Sequence, residues 1–138
     1  MKVKVLAEGK YEIVAVMDGV ACPAEDFLTT GEADTRVNRQ GLFQMLKLVA
    51  DWGLQGVPSG WWHEANKQEK IYEFIRGPLR LFFFKGEGSQ IAVCTGGVRK
   101  KGSKADKGSV TAASSSRKAY LSAIQAQTLE IMRDEENQ

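Results

Sequence analysis

Histidine is nearly absent from this 138-residue chain, occurring once, at His63. Cysteine occurs twice, at Cys22 and Cys94, and proline three times. Two cysteines far apart in the chain form no CxxC pair, and alone they cannot build a structural zinc site. Cys94 lies in an apolar strand pattern and reads as a reduced core residue. His63 has only Glu64 beside it, so a surface role suits it better than metal binding. No metal and no cofactor is expected. No apolar run approaches the ~18 residues of a membrane span. Charge interrupts the opening Met1–Glu8 at once, unlike the apolar stretch of a secretory leader. The expectation is a cytoplasmic protein that does not engage a membrane.

A strong net charge is also missing. The formal net charge is +2, with 43% hydrophobic and 26% charged residues, the mix of one ordinary globular domain spanning residues 1–138. The charge is unevenly spread, however. Residues 1–66 carry six basic and nine acidic groups, net −3, and residues 108–138 carry three and four, net −1. Residues 67–107 carry ten basic and four acidic groups, net +6. Such a segment suits a polyanion, although a solvated lysine-rich loop would look the same.

Hydrophobic periodicity predicts the elements. Lys10–Met17 is rich in β-formers and ends at the turn signal Asp18-Gly19, which predicts a strand. Cys22–Leu28 predicts a short helix, with Pro23 in its first turn and Glu25 and Asp26 near its positive end. Asp34 or Thr35 would cap a longer helix running to about Trp52 and ending at Gly53. Val37, Leu42, Met45, Leu46 and Val49 fall on one face of it, and Trp52 is expected in the core. Residues 54–69 read as a loop, whose Trp61-Trp62 pair could stack on unpaired bases or pin the loop to the domain.

Three strands follow, Ile71–Arg76, Leu79–Lys85 and Gln90–Val98. Their connections, Gly77-Pro78 and Gly86-Glu87-Gly88-Ser89, are too short for anything but antiparallel pairing. In the middle strand Leu79, Leu81 and Phe83 face one way and Arg80, Phe82 and Phe84 the other, as in a strand covered on both sides. The basic turn Arg99–Gly108 leads to a final helix from about Ser109 to Arg133, and residues 134–138 form a solvated acidic tail. The order β, α, α, loop, β, β, β, α predicts an α+β fold, with helices on a small antiparallel sheet.

The succession Ile71-Tyr72-Glu73-Phe74-Ile75-Arg76, Leu79-Arg80-Leu81-Phe82-Phe83-Phe84, Ile91-Ala92-Val93-Cys94 and Arg99-Lys100-Lys101-Gly102-Ser103-Lys104, then a helix with Ala113 and Tyr120, resembles the HigB and phage-derived branch of the RelE/ParE toxin superfamily. The upstream Pro23-Ala24-Glu25-Asp26-Phe27-Leu28 resembles the start of that branch's first helices. The resemblance covers about residues 10–125. It implies the toxin of a type II toxin–antitoxin pair, which enters the ribosomal decoding site and cleaves messenger RNA there. Its implied partners are the ribosome, the mRNA and a cognate antitoxin of helix-turn-helix type. The ParE branch instead inhibits DNA gyrase without nuclease chemistry, and a catalytically silent relative would only bind RNA or an antitoxin.

Such cleavage proceeds by attack of a 2′-hydroxyl on the adjacent phosphate, and cations positioned on the phosphate carry much of the catalysis. Arg80, a permanent charge within an apolar strand, is the first candidate to bind it. Pairing with Glu73 on the neighbouring strand is the competing explanation. Arg76, Lys101 and Tyr120 complete the catalytic candidates, although the helical spacing of Tyr120 also suits a core residue. Arg99, Lys100, Lys104, Lys70, Lys67, His63 and Trp62 are candidates for holding RNA. No general base is assigned, although His63 has the side chain best suited to proton transfer near neutrality.

Overall fold

The computed structural model describes residues 1–102 and 106–134. The chain opens with a hairpin of β1 (Lys2–Glu8) and β2 (Glu12–Val16), followed by α1 (Pro23–Thr29) and α2 (Arg36–Trp52). Strands β3 (Trp62–Asn66), β4 (Ile71–Arg76), β5 (Leu79–Phe84) and β6 (Gln90–Arg99) come next, then α3 (Lys107–Ala126) and β7 (Glu130–Met132). One seven-stranded sheet runs in the order β3-β4-β5-β6-β2-β1-β7. Four neighbouring pairs are antiparallel, whereas β2 pairs parallel with β6 and β1 parallel with β7. The class is α+β, but the sheet is larger than expected and mixed, not antiparallel throughout.

Helices cover both faces. On one, Leu42, Met45, Leu46 and Val49 of α2 pack with Leu28 of α1 against Ile13, Phe74, Leu81, Phe83 and Cys94. On the other, Val110, Ala113 and Tyr120 of α3 meet Val3, Val14, Ile71, Phe82, Phe84 and Val93. The alternation along β5 thus feeds two cores. Burial of Cys22 and Cys94 raises both thiol pKa values, so neither cysteine presents a thiolate.

Local chemistry sets the element ends. Gly53 stops α2 with φ +83°, a conformation open to glycine. Asp106 caps α3 by accepting a hydrogen bond from the Ser109 N–H at 2.9 Å. α3 ends at Ala126, short of Arg133, because Gln127 adopts a left-handed conformation that turns the chain into β7.

Two residues expected in the core lie outside it: Val37 is 71% and Trp52 66% exposed. Val37 lies on the side of α2 opposite its buried residues, and Trp52 ends the helix at the rim of a recess that Tyr11, Lys85 and Ile91 also line. Residues 62–66, read as loop, form the edge strand β3. Of the expected acidic tail, residues 135–138 lie outside the described residues. Among the described residues no helix is long and apolar enough to cross a membrane.

Candidate functional site

The face of the sheet that carries α3 holds the densest group of predicted residues. The strand period places His63 on β3, Glu73 on β4, and Arg80 and Phe82 on β5 on this face. Register completes the arrangement, with His63 opposite Glu73 and Glu73 opposite Phe82. Arg80 is then the diagonal neighbour of Glu73.

Glu73 is 2% exposed, and its Oε1 lies 2.5 Å from His63 Nε2 and 3.7 Å from Arg80 Nε. A carboxylate accepts, so Nε2–H donates; in the neutral ring the lone pair is then on Nδ1, and the His63 side chain is 54% exposed. Arg80 is fixed from a second side, because its Nη1 donates to the carbonyl oxygens of Gly77 at 2.7 Å and Leu79 at 2.9 Å. Among the described residues, the buried atoms Glu73 Oε2 and Arg80 Nε have no hydrogen-bond partner.

Both side chains line a cleft of about 580 Å³ walled by Lys100, Lys101 and the first turn of α3 with Lys107. Arg99 closes one side, where it forms a two-pronged bond to Asp34 at 3.2 and 3.0 Å and a looser contact with Glu32 at 3.7 Å. The pairing raises the Arg99 pKa and lowers that of Asp34. Five cations thus surround two carboxylates, Glu73 and Asp106. Among the described residues no three His, Cys, Asp or Glu side chains gather as a metal site. The arrangement can hold an anion against fixed cations and pass a proton through the His63–Glu73 pair.

Of the predicted residues, the structure groups Arg80, Arg99, Lys100, Lys101 and His63. It separates others. Arg76 crosses Gly41 of α2, where an added Cβ would lie 2.6 Å from its Nε, so it serves the opposite face. Lys67 and Lys70 sit in the β3–β4 turn, at the other end of the strands, roughly 13 Å of strand from Arg80. Trp62 pins the loop instead of offering a stacking face. Its Nε1–H donates to Leu54 O at 2.9 Å, and its ring meets Tyr72 and Phe83 edge-on. Lys104 lies outside the described residues.

Tyr120 is a core residue, fully buried on α3. Its hydroxyl donates to Gln90 Oε1 at 2.5 Å and accepts from the Glu87 N–H at 3.1 Å. Tyr120→Phe would orphan both partners and is expected to lower stability by about 1–3 kcal/mol, read by urea unfolding. An unchanged unfolding free energy would show that these two bonds do not hold the fold.

Sequence reasoning missed Glu73 as a partner of His63, and it missed Lys107. The signal available was the run Trp62–Asn66 followed by Lys67–Lys70. Read as a strand and turn, it sets His63 against Glu73. Comparison of the chain with protein-family models and with curated sequences finds no match.

Proposed function

We propose that this protein is a toxin that cleaves messenger RNA at the ribosome without a metal, by transesterification at the His63–Glu73–Arg80 cleft. The observation that supports the reading is one buried carboxylate, in the wall of a cleft of lysines, that joins a guanidinium in the same wall to an exposed imidazole beside it. In this reading His63 Nδ1 takes the 2′-hydroxyl proton while Glu73 holds the ring. O2′ bonds to phosphorus, the P–O5′ bond breaks, and the leaving oxygen takes a proton from a lysine ammonium or water. Arg80 and Lys101 balance the charge that builds on the phosphorane. Products would be a 2′,3′-cyclic phosphate and a 5′-hydroxyl. The resemblance to RelE/HigB toxins adds the ribosome and a protein antitoxin as partners, and with them a cytoplasmic place of action.

The test is induction in bacteria with mapping of mRNA 5′ ends by primer extension. New ends inside translated codons are expected, abolished when translation is blocked. His63→Ala should reduce them by about 10²–10⁴-fold, the usual worth of an acid–base group. Arg80→Ala/Lys101→Ala should remove them. Growth arrest with intact mRNA would rule out the nuclease and point to a protein target such as gyrase. Neither arrest nor cleavage would leave a binding module.

A further inference from the structure

A second cationic recess lies between α1 and α2, in the helical layer opposite α3. It encloses about 450 Å³ and is lined by Thr29, Arg36, Arg39, Gln40, Gln44 and Lys47, among others, with no carboxylate in its wall. Arg39 is 7% exposed. Its Nη1 donates to the Glu32 carbonyl oxygen at 2.8 Å and to Thr35 Oγ1, which fixes the guanidinium against one wall.

Among the described residues, Nε and Nη2 of Arg39 make no protein hydrogen bond, and Arg36, Arg39 and Lys47 form no ion pair. Asp34 feels the Arg39 charge, but its carboxylate is held by Arg99. Neither nitrogen is among the buried atoms that lack a partner, so both open onto the recess, where a bound anion would supply the counterion that the described residues do not. The unspent donors form a planar fork matched to two oxygens of one group. Three cations at one recess suit a phosphate, which carries up to two charges, better than a carboxylate, which carries one. Gln40 and Gln44 can add neutral donors.

The geometry points to a phosphate-binding site in the α1–α2 groove, built on Arg39 and separate from the cleft. That phosphate has two possible sources, the free ion or the backbone of RNA, and only the second rests on the function proposed above.

The test is side-chain NMR of the arginine Nε–H groups in the full chain, titrated first with inorganic phosphate. The Arg39 signal is expected to move and saturate. Arg36→Ala/Lys47→Ala, which alters exposed positions and spares the buried Arg39, should weaken the binding on the order of tenfold. A 2′-O-methyl RNA oligonucleotide, which cannot be cleaved, then separates the sources. A shift of Arg39 at far lower concentration than phosphate requires assigns the site to RNA, and a shift with phosphate alone assigns it to the free ion. An Arg39 signal unmoved by phosphate, moved equally in the double variant, or moved only by polyglutamate would overturn the site. A chain that cleaves no mRNA but keeps the phosphate shift would lose the proposed function and retain this site.

Discussion

Glu73→Ala is expected to destabilise the chain by about 3 kcal/mol, at the low end for breaking a buried ion pair. The alanine would strand the Arg80 guanidinium, whose side chain is 15% exposed and whose Nε already lacks a hydrogen bond. Glu73→Leu/Arg80→Met replaces both members by apolar groups of similar volume, and it is expected to be at least as stable as the native chain. The same double variant should cleave no RNA. Urea unfolding of the two variants, with the primer-extension assay, decides the matter. A double variant as unstable as Glu73→Ala would mean that the pair serves the fold. A stable, inactive one would mean that the pair is kept for what it does in the cleft. The 3.7 Å separation of Glu73 and Arg80 favours the second outcome, because a pair kept for stability is expected to close into direct hydrogen bonds.

Phe83→Ala is expected to lower the unfolding free energy by about 3–5 kcal/mol. Phe83 is fully buried near the C-terminal end of β5. Its ring stacks on Phe74 at 4.1 Å between centroids and on Tyr72 at 5.5 Å, and it meets Trp62 edge-on at 6.2 Å. Truncation would leave a cavity bordered by three rings on two strands, which cannot collapse without bending the sheet. A domain of this size is stable by only about 5–15 kcal/mol, so the loss would remove between roughly a fifth and all of that stability. Phe83→Leu, which keeps most of the volume, should cost less than about 1.5 kcal/mol. A loss below 1 kcal/mol for the alanine, measured by denaturant titration, would show that this face does not pack as described.

Legibility from sequence followed the range of the interactions. Helix α2, its stop at Gly53 and the strands β4 to β6 depend on periodicity and tight turns, and these are local. The double-faced pattern of β5 was readable for the same reason. What was not readable depends on partners far along the chain. Strand β1 alternates lysine and valine, yet it is held between β2 and the distant β7. β7 has only three residues and no periodicity long enough to detect. Val37 lies nine residues from Leu46, about two and a half turns, and so on the opposite side of α2; its apolar character alone suggested the core. Within the site, Arg80 could be singled out because charge is rare in an apolar strand. The group around it could not, because register brings Glu73 and His63 to it, and an unrecognised edge strand carries His63. Lys67 and Lys70 share the charge of the segment, but the hairpin carries them to the wrong end of the sheet.

The parallel pairing of β2 with β6 and of β1 with β7 also governs how the chain is made. The β1–β2 hairpin emerges ahead of β6 and β7, with both of its edges open. The β2 edge closes only with residues 90–99, and the β1 edge only with residues 130–132. Folding that waits on pairings between distant segments is slow. Meanwhile the exposed edges can accept any extended strand that meets them. Slower translation of the second half therefore lengthens the interval in which β2 can pair with another copy of the chain before its own β6 arrives.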